Sequence, residues 1–172
     1  MPRSARHASS LSNNPRRQAG VTLIELLVTL VILSILASAA IPFAELTVRR
    51  DREQDLHRAL REVRTAIDGF HDDLVAGRIS KLTDTASDDG YPKTLQVLVD
   101  GVDTGQAKGG KRRYLRRVPP DPFADPEKKP EEQCVLRGYQ DDPGASWNGM
   151  DVYDIRSASD RIAINGTRYK DW

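Results

Sequence analysis

The apolar positions divide the chain into stretches of clearly different texture. Residues 21–43 form an apolar run, "VTLIELLVTLVILSILASAAIPF", in which Glu25 is the one charged side chain. As a helix, its 23 residues would measure roughly 34 Å at about 1.5 Å per residue, which is enough to cross a bilayer core. The pattern therefore predicts a membrane-spanning helix over residues 21–43.

The next stretch, residues 44–75, has the periodicity of an amphipathic helix. Six apolar side chains recur at spacings of 4, 3, 4, 3 and 4, with Arg, Glu and Asp between them: Leu56, Leu60, Val63, Ile67, Phe70 and Leu74. The stripe is short and contains Gly69, so packing against the chain's own sheet is favoured over a coiled coil. Pro42 either bends this long helix or marks a boundary between its two halves.

Residues 76–172 are rich in turn-forming residues, which ends the helix near Val75. Alternating apolar and polar positions in "DVYDIRSASD" and "RIAIN" predict short β-strands. The sequence therefore predicts an α+β fold, with a long N-terminal helix packed on a small antiparallel sheet in a globular head over residues 76–172.

Composition sharpens the contrast between the apolar run and the rest. The 172 residues are 30% charged with a mean hydropathy of −0.55, so the run is a local exception. The first twenty residues contain four arginines and no acid, and the remainder is slightly acidic. A basic leader before an apolar run is typical of targeting segments. Cys134 is the single cysteine, which excludes an internal disulfide.

Three interpretations of this N-terminus compete. The run could be a plain membrane anchor, or a signal peptide cleaved after the small residues Ala37-Ser38-Ala39. Neither accounts for Glu25, because a carboxylate within the membrane costs about 2.5–3.5 kcal/mol on insertion scales. The third is cleavage between Gly20 and Val21, which makes Glu25 the fifth residue of the new chain. There it would face the positive end of the helix dipole and could pair with the N-terminal ammonium group of a neighbouring subunit.

The residues "RRQAGVTLIELLVTLVILSILASAAIP" resemble the leader, cleavage site and first helix of type IV pilin-like proteins, including the pseudopilins of type II secretion. The resemblance implies a cleaved leader over 1–20, with Gly20 and Val21 as the processing site. It also implies a filament-core helix over 21–43 and an assembly role for Glu25. One departure is Val21, which stands where the family usually has Phe.

The resemblance also implies a place and partners. A prepilin peptidase would cut the leader, and its methyltransferase would methylate the new N-terminus. The protein would then be a single-pass protein of the inner membrane with its head in the periplasm. From there it would join other pseudopilins in a homo-oligomeric filament on an inner-membrane secretion platform.

Three segments of the head, "GYPKTLQVLV", "YLRRVPPDPF" and "DVYDIRSASDRIAINGTRYKDW", are similar to segments of the major, G-type pseudopilin. The insert "ADPEKKPEEQCVLRGYQDDPG" departs from that pattern, so a minor or divergent pseudopilin stays open. A minor pilin of a type IV pilus, acting in adhesion, motility or DNA uptake, is the alternative function.

A calcium site is predicted near the end of the chain. Oxygen-bearing side chains fall within fifteen residues there, around Gly166: Ser157, Ser159, Asp160, Asn165 and Asp171. Hard cations such as Ca²⁺ take six to eight oxygen ligands. The G-type resemblance also implies calcium at this end of the head, whereas the alternative is a set of ordinary turn residues.

Two further functions were weighed on the residues. The segment "KGGKRRYLRR" has six basic side chains around Tyr114 and could grip a nucleic acid, but we do not expect that partner because the mature chain is slightly acidic. We expect no enzymatic activity, since the sequence has no nucleophile elbow, phosphate-binding glycine loop or paired-histidine motif.

Overall fold

The computed structural model describes residues 20–82, 84–105 and 109–172. Two α-helices occur in this part of the chain, α1 over Leu23–Val75 and α2 over Leu95–Asp100. The four short strands are β1 (Val102–Asp103), β2 (Lys111–Arg112), β3 (Cys134–Arg137) and β4 (Asp154–Ser157). The chain divides into an N-terminal unit that ends at Phe43 and a C-terminal unit, Ala44–Trp172.

Helix α1 confirms the long N-terminal helix. It continues through position 42, so Pro42 does not end it. In the C-terminal unit, the predicted stripe faces the core: Leu56, Leu60, Val63, Ile67 and Phe70 are buried, and Leu74 packs against them. The amphipathic half of α1 therefore packs on the chain's own fold, as its periodicity predicts.

The end of α1 is fixed by a glycine. Gly77 has a φ of 67° and donates its N–H to the Leu74 carbonyl at 3.0 Å, while Arg78 N–H reaches the Asp73 carbonyl at 2.8 Å. This pair of bonds is a Schellman motif, which satisfies the last carbonyls of a helix and needs a residue that tolerates positive φ.

The strands form two separate two-stranded antiparallel sheets in the described part of the chain. Strand β1 pairs with β2 in the register Val102 to Arg112, and β3 pairs with β4 in the register Leu136 to Ile155. Strand β4 lies within the predicted "DVYDIRSASD" segment, with Ile155 and Ser157 buried. The fold is α+β, with a long helix and small antiparallel sheets, as expected.

The predicted strand over "RIAIN" was wrong. Only an isolated bridge joins Ile162 to Arg168 there. Ala163 donates its N–H to the Thr167 carbonyl at 2.7 Å, and Gly166, with a φ of 85°, makes the turn between them. Ala163 points into the core, whereas Ile162 and Ile164 are exposed. The apolar alternation of this segment therefore faces outward.

The last residues of the chain are held on α1. Tyr169 is fully buried, stacks on Phe123 with ring centroids 3.9 Å apart, and donates its hydroxyl to Glu53 at 2.8 Å. The same Glu53 oxygen accepts the Ile164 N–H at 2.8 Å. Arg64 binds the Trp172 carbonyl at 2.6 Å, so one face of α1 organises the whole segment.

Candidate processing and assembly site

The predicted cleavage position lies just before α1. Gly20 and Val21 are both exposed, and the helix begins at Leu23. A β-carbon built on Gly20 would meet no atom within 4 Å in the described structure. Packing against the described residues therefore does not require a glycine at this position.

Thr22 caps the start of the helix. Its carbonyl accepts the Leu26 N–H at 3.1 Å, and its hydroxyl oxygen accepts the Glu25 N–H at 3.3 Å. Thr22 and Glu25 have the Thr-x-x-Glu spacing of a capping box. This capping role of Thr22 was not predicted, although the Thr-x-x-Glu spacing is visible in the sequence.

Glu25 lies in the first turn of α1 with an exposed side chain. Its carboxylate makes no hydrogen bond or ion pair with the described residues, so the acid is available to a partner outside them. A negative side chain in the first turn is favoured by the helix dipole. The helix thus presents one acceptor group at the start of an otherwise apolar surface.

The large apolar side chains of α1 up to Leu36 are not buried by the described residues of the N-terminal unit. These side chains are exposed by about half or more, from 49% at Val28 to 79% at Leu23. By length and composition, α1 can cross a membrane. Its hydroxyl groups bond to the helix itself: Thr29 to the Leu26 carbonyl, Ser34 to Leu30 and Ser38 to Ile35, at 2.7–2.9 Å. The surface is therefore suited to an apolar environment.

Residues 15–41 match the prokaryotic N-terminal methylation motif. This type IV pilin-like signal spans the cleavage position, the capping threonine and Glu25. The motif is typical of type IV pilin-like proteins and implies processing by a prepilin peptidase and filament assembly in general, and the long apolar helix is consistent with membrane anchoring. No curated protein and no solved structure matches the chain.

In the structure, Tyr114 of the basic segment is packed against the fold rather than open for stacking on a base. The Tyr114 hydroxyl donates to Asp73 at 2.8 Å, and its ring meets Phe70 edge-on with centroids 5.6 Å apart. The Arg112 guanidinium lies over the same ring. Tyr114 is therefore a packing residue rather than an open stacking platform. Lys108 lies outside the described residues.

Asp73 is the acceptor at the centre of this cluster. It is buried, and it binds Arg78 at 2.5 Å, Arg112 and the Tyr114 hydroxyl. Burial alone would raise the pKa of Asp73, but the hydrogen bonds from Arg78 and Tyr114 and the charge of Arg112 hold it below its ordinary value. The carboxylate ties the end of α1 to the loop that follows and to β2.

The five predicted calcium ligands have other partners or other positions. Ser157 is buried and donates its hydroxyl to Asp121 at 2.5 Å, while the Ser159 hydroxyl lies 3.4 Å from the Arg161 N–H. Asp160 is exposed and forms an ion pair with Lys170 at 2.6 Å.

Asn165 accepts both the Thr167 N–H and the Thr167 hydroxyl, and Asp171 lies in the last short turn. Among the described residues, no group of three or more His, Cys, Asp or Glu side chains is arranged to hold a metal ion. Calcium stays a prediction.

Cys134, His57 and His71 each pack against neighbouring groups of the fold. Cys134 is half-buried, and burial first, then the nearby Asp121 and Glu131, raises the pKa of its thiol to about 11. His57 stacks on Trp172 with ring centroids 4.0 Å apart, and His71 stacks on Tyr91 at 4.4 Å. Both histidines thus make aromatic contacts on α1.

Proposed function

We propose that this protein is a structural subunit of a type II secretion pseudopilus, which assembles into a periplasmic filament that drives protein export. The observation that carries the proposal is the methylation motif at residues 15–41, which overlaps helix α1, whose large apolar side chains up to Leu36 are exposed. Such a surface needs lipid before assembly and neighbouring subunits afterwards. The resemblance of the head segments to the G-type pseudopilin supports the secretion assignment.

The mechanism is assembly rather than catalysis. A prepilin peptidase cuts between Gly20 and Val21 and its methyltransferase methylates the new N-terminus, so the chain is a substrate of these enzymes. Glu25 then pairs with the N-terminal ammonium group of a neighbouring subunit, and this pairing sets the stagger between helices. Subunits drawn from the inner membrane extend the filament and push cargo outward.

Replacing Glu25 tests the assembly role. Glu25→Ala removes a costly charge from the apolar helix, so membrane insertion should be unchanged or slightly better. Filament yield, measured by shearing and sedimentation after overexpression, should fall strongly. Glu62→Ala is the matched control, because Glu62 is an exposed acid on the same helix outside the apolar run. Normal filament yield from Glu25→Ala would remove this account of the carboxylate.

The alternative is a minor pilin of a type IV pilus, which shares the same processing signal. The two functions differ in what the host loses without the protein. A pseudopilus subunit is required for release of secreted enzymes into the medium, whereas a minor pilin is required for twitching, adhesion or DNA uptake. Measuring both phenotypes in a deletion strain, with complementation, separates them.

A further inference from the structure

The surface that follows the apolar run combines cations with exposed apolar groups. An open groove of about 450 Å³, called here the arginine groove, is lined by residues of α1 together with one aromatic and one basic side chain: Ala44, Glu45, Val48, Arg49, Arg52, Phe123 and Arg161. It begins at the residue that directly follows Phe43. All of its lining belongs to the C-terminal unit.

Arg49 builds the groove rather than offering a free charge. It donates to the Ile162 carbonyl and to the Tyr169 hydroxyl, and it lies 3.7 Å from Glu53. These bonds bring the segment around residue 162 against the first turns of α1 in the C-terminal unit. The groove therefore has a fixed wall.

Arg52 and Arg161 supply the available cations. Both are exposed, and neither forms an ion pair within the described residues. The Arg161 guanidinium lies 5.6 Å from the Phe123 ring centroid, which holds it over the apolar floor of the groove. Glu45 is the carboxylate that lines the groove. Two arginines on an apolar floor suit an anionic group that carries an apolar body.

Ile162 directly follows Arg161, its carbonyl accepts a hydrogen bond from Arg49, and its side chain is 57% exposed. Its neighbour Ile164 is 38% exposed, and both are fixed through backbone bonds to α1. Exposed isoleucines next to arginines are the composition of a surface that lies at a membrane interface. This also gives a reason for the outward apolar alternation of a segment that does not form a strand.

We infer that the arginine groove and Ile162 dock on the anionic phospholipid headgroups of the bilayer that holds the apolar run. Chain order supports this, because Ala44 directly follows that run and lies only about 12 Å along the helix from Arg52. Long arginine side chains reach back toward phosphates while their stems cover apolar surface. The inference rests on the membrane anchoring in the proposed function and not on filament assembly.

A fluorescence experiment on the full chain in lipid nanodiscs tests this docking. In a Cys134→Ser background, Ile162→Cys is labelled with an environment-sensitive fluorophore. Met150→Cys is the matched control, since Met150 is 59% exposed and lies in another part of the C-terminal unit. Discs contain phosphatidylcholine alone or phosphatidylcholine with phosphatidylglycerol, and soluble iodide measures accessibility.

We expect the label at position 162 to shift to shorter wavelength and lose iodide quenching in discs with phosphatidylglycerol, and to regain quenching at high salt. The label at position 150 should stay quenched in both discs. Arg52→Gln combined with Arg161→Gln should abolish the protection. Arg116→Gln combined with Arg117→Gln removes two exposed cations from the basic segment and should leave the protection intact. Thermal unfolding of each variant checks its fold.

Three results would overturn the inference. Equal quenching at position 162 in both kinds of disc would exclude recognition of anionic lipid. Protection that survives the Arg52 and Arg161 replacements would exclude the groove. Protection that grows with protein concentration rather than with phosphatidylglycerol content would assign the surface to a second copy of the chain. A chain that enters the discs but shows any of these results keeps the proposed function, whereas a chain that fails to enter them contradicts both.

Discussion

At the scale of single residues, Gly20 is informative because no described residue packs against it. A β-carbon there would meet no atom within 4 Å, so the proposed peptidase cleavage would give this glycine a reason that packing does not. The same reasoning separates Gly20 from Gly77, whose positive φ ends α1. Gly77 is therefore needed for its backbone conformation, whereas Gly20 is not needed for packing against the described residues.

Replacing Gly20 should therefore affect processing without affecting stability. In a host with a prepilin peptidase, the mature protein should begin at Val21. Gly20→Leu should keep the leader, while Gly20→Ala should be partly processed because alanine is nearly as small. N-terminal sequencing measures each outcome. A start at Ala40 would instead show that the Ala37-Ser38-Ala39 site is used.

Cys134 gives a second prediction at this scale. Because the thiolate is the reactive form, a thiol pKa raised to about 11 should make alkylation by iodoacetamide at pH 8 on the order of a hundred-fold slower than for a free cysteine. The rate should climb as the pH approaches 11. The same chain in guanidinium chloride is the control and should react quickly. Fast labelling of the folded protein would contradict the burial of this thiol.

At the scale of elements, Asp73 joins the end of α1 to Arg78 and to β2 through Arg112. Asp73→Asn should lower the free energy of unfolding by about 1–3 kcal/mol, the range for losing charged hydrogen bonds. Both arginines are about half exposed and can turn to solvent, which limits the loss. Asp72→Asn makes the same chemical change at an exposed neighbour and should be nearly neutral.

The pH dependence of this junction has a definite sign. Because the folded pKa of Asp73 is lower than its unfolded value, its contribution is complete above about pH 4 and is lost as the pH falls through the folded pKa. Denaturant unfolding of the wild type and of Asp73→Asn should therefore differ at pH 7 and converge in acid. A difference that persists unchanged in acid would show that the carboxylate charge is not what stabilises the junction.

The elements also show which parts of the fold a sequence can predict. The α1 stripe from Leu56 to Leu74 was predictable because a helix of 3.6 residues per turn repeats its buried positions many times. The strand predicted around Ile162 was wrong because two exposed isoleucines alternate as they would in a strand. The segment is too short for the pattern to show which face is buried. Strands of two to four residues, such as β1 and β2, carry too few positions to show alternation.

The candidate site divides in the same way. The prediction for Gly20, Val21 and Glu25 rests on a local order of residues that needs no folding, and it stays a prediction. The Asp73 cluster was not predictable, since residues 73, 78, 112 and 114 meet only after the loops have closed. The calcium residues were close in sequence, yet the turn at Gly166 gives Asn165 and Asp160 separate partners.

At the scale of the whole molecule, calcium binding is a prediction that thermal unfolding can test. If calcium binds the folded head, residues 44–172 should melt at a higher temperature as calcium increases, and excess chelator should reverse the shift. Calcium would have to displace Lys170 from Asp160. Asp160→Ala and Asp171→Ala should each abolish the shift. Identical melting midpoints in calcium and chelator would leave these residues as turn formers.

The hydroxyl groups of the apolar helix bear on how this helix could change its surroundings. Thr29, Ser34 and Ser38 each find their acceptor one turn back on their own helix. They therefore require no partner that would have to be broken when the helix passes from lipid into a filament, or back again. Apart from Glu25 and the new N-terminal ammonium group, the segment would therefore make no hydrogen bond that distinguishes lipid from neighbouring apolar helices. If the chain assembles as proposed, these hydroxyl groups would favour neither lipid nor filament, so they would not set the direction in which the filament grows.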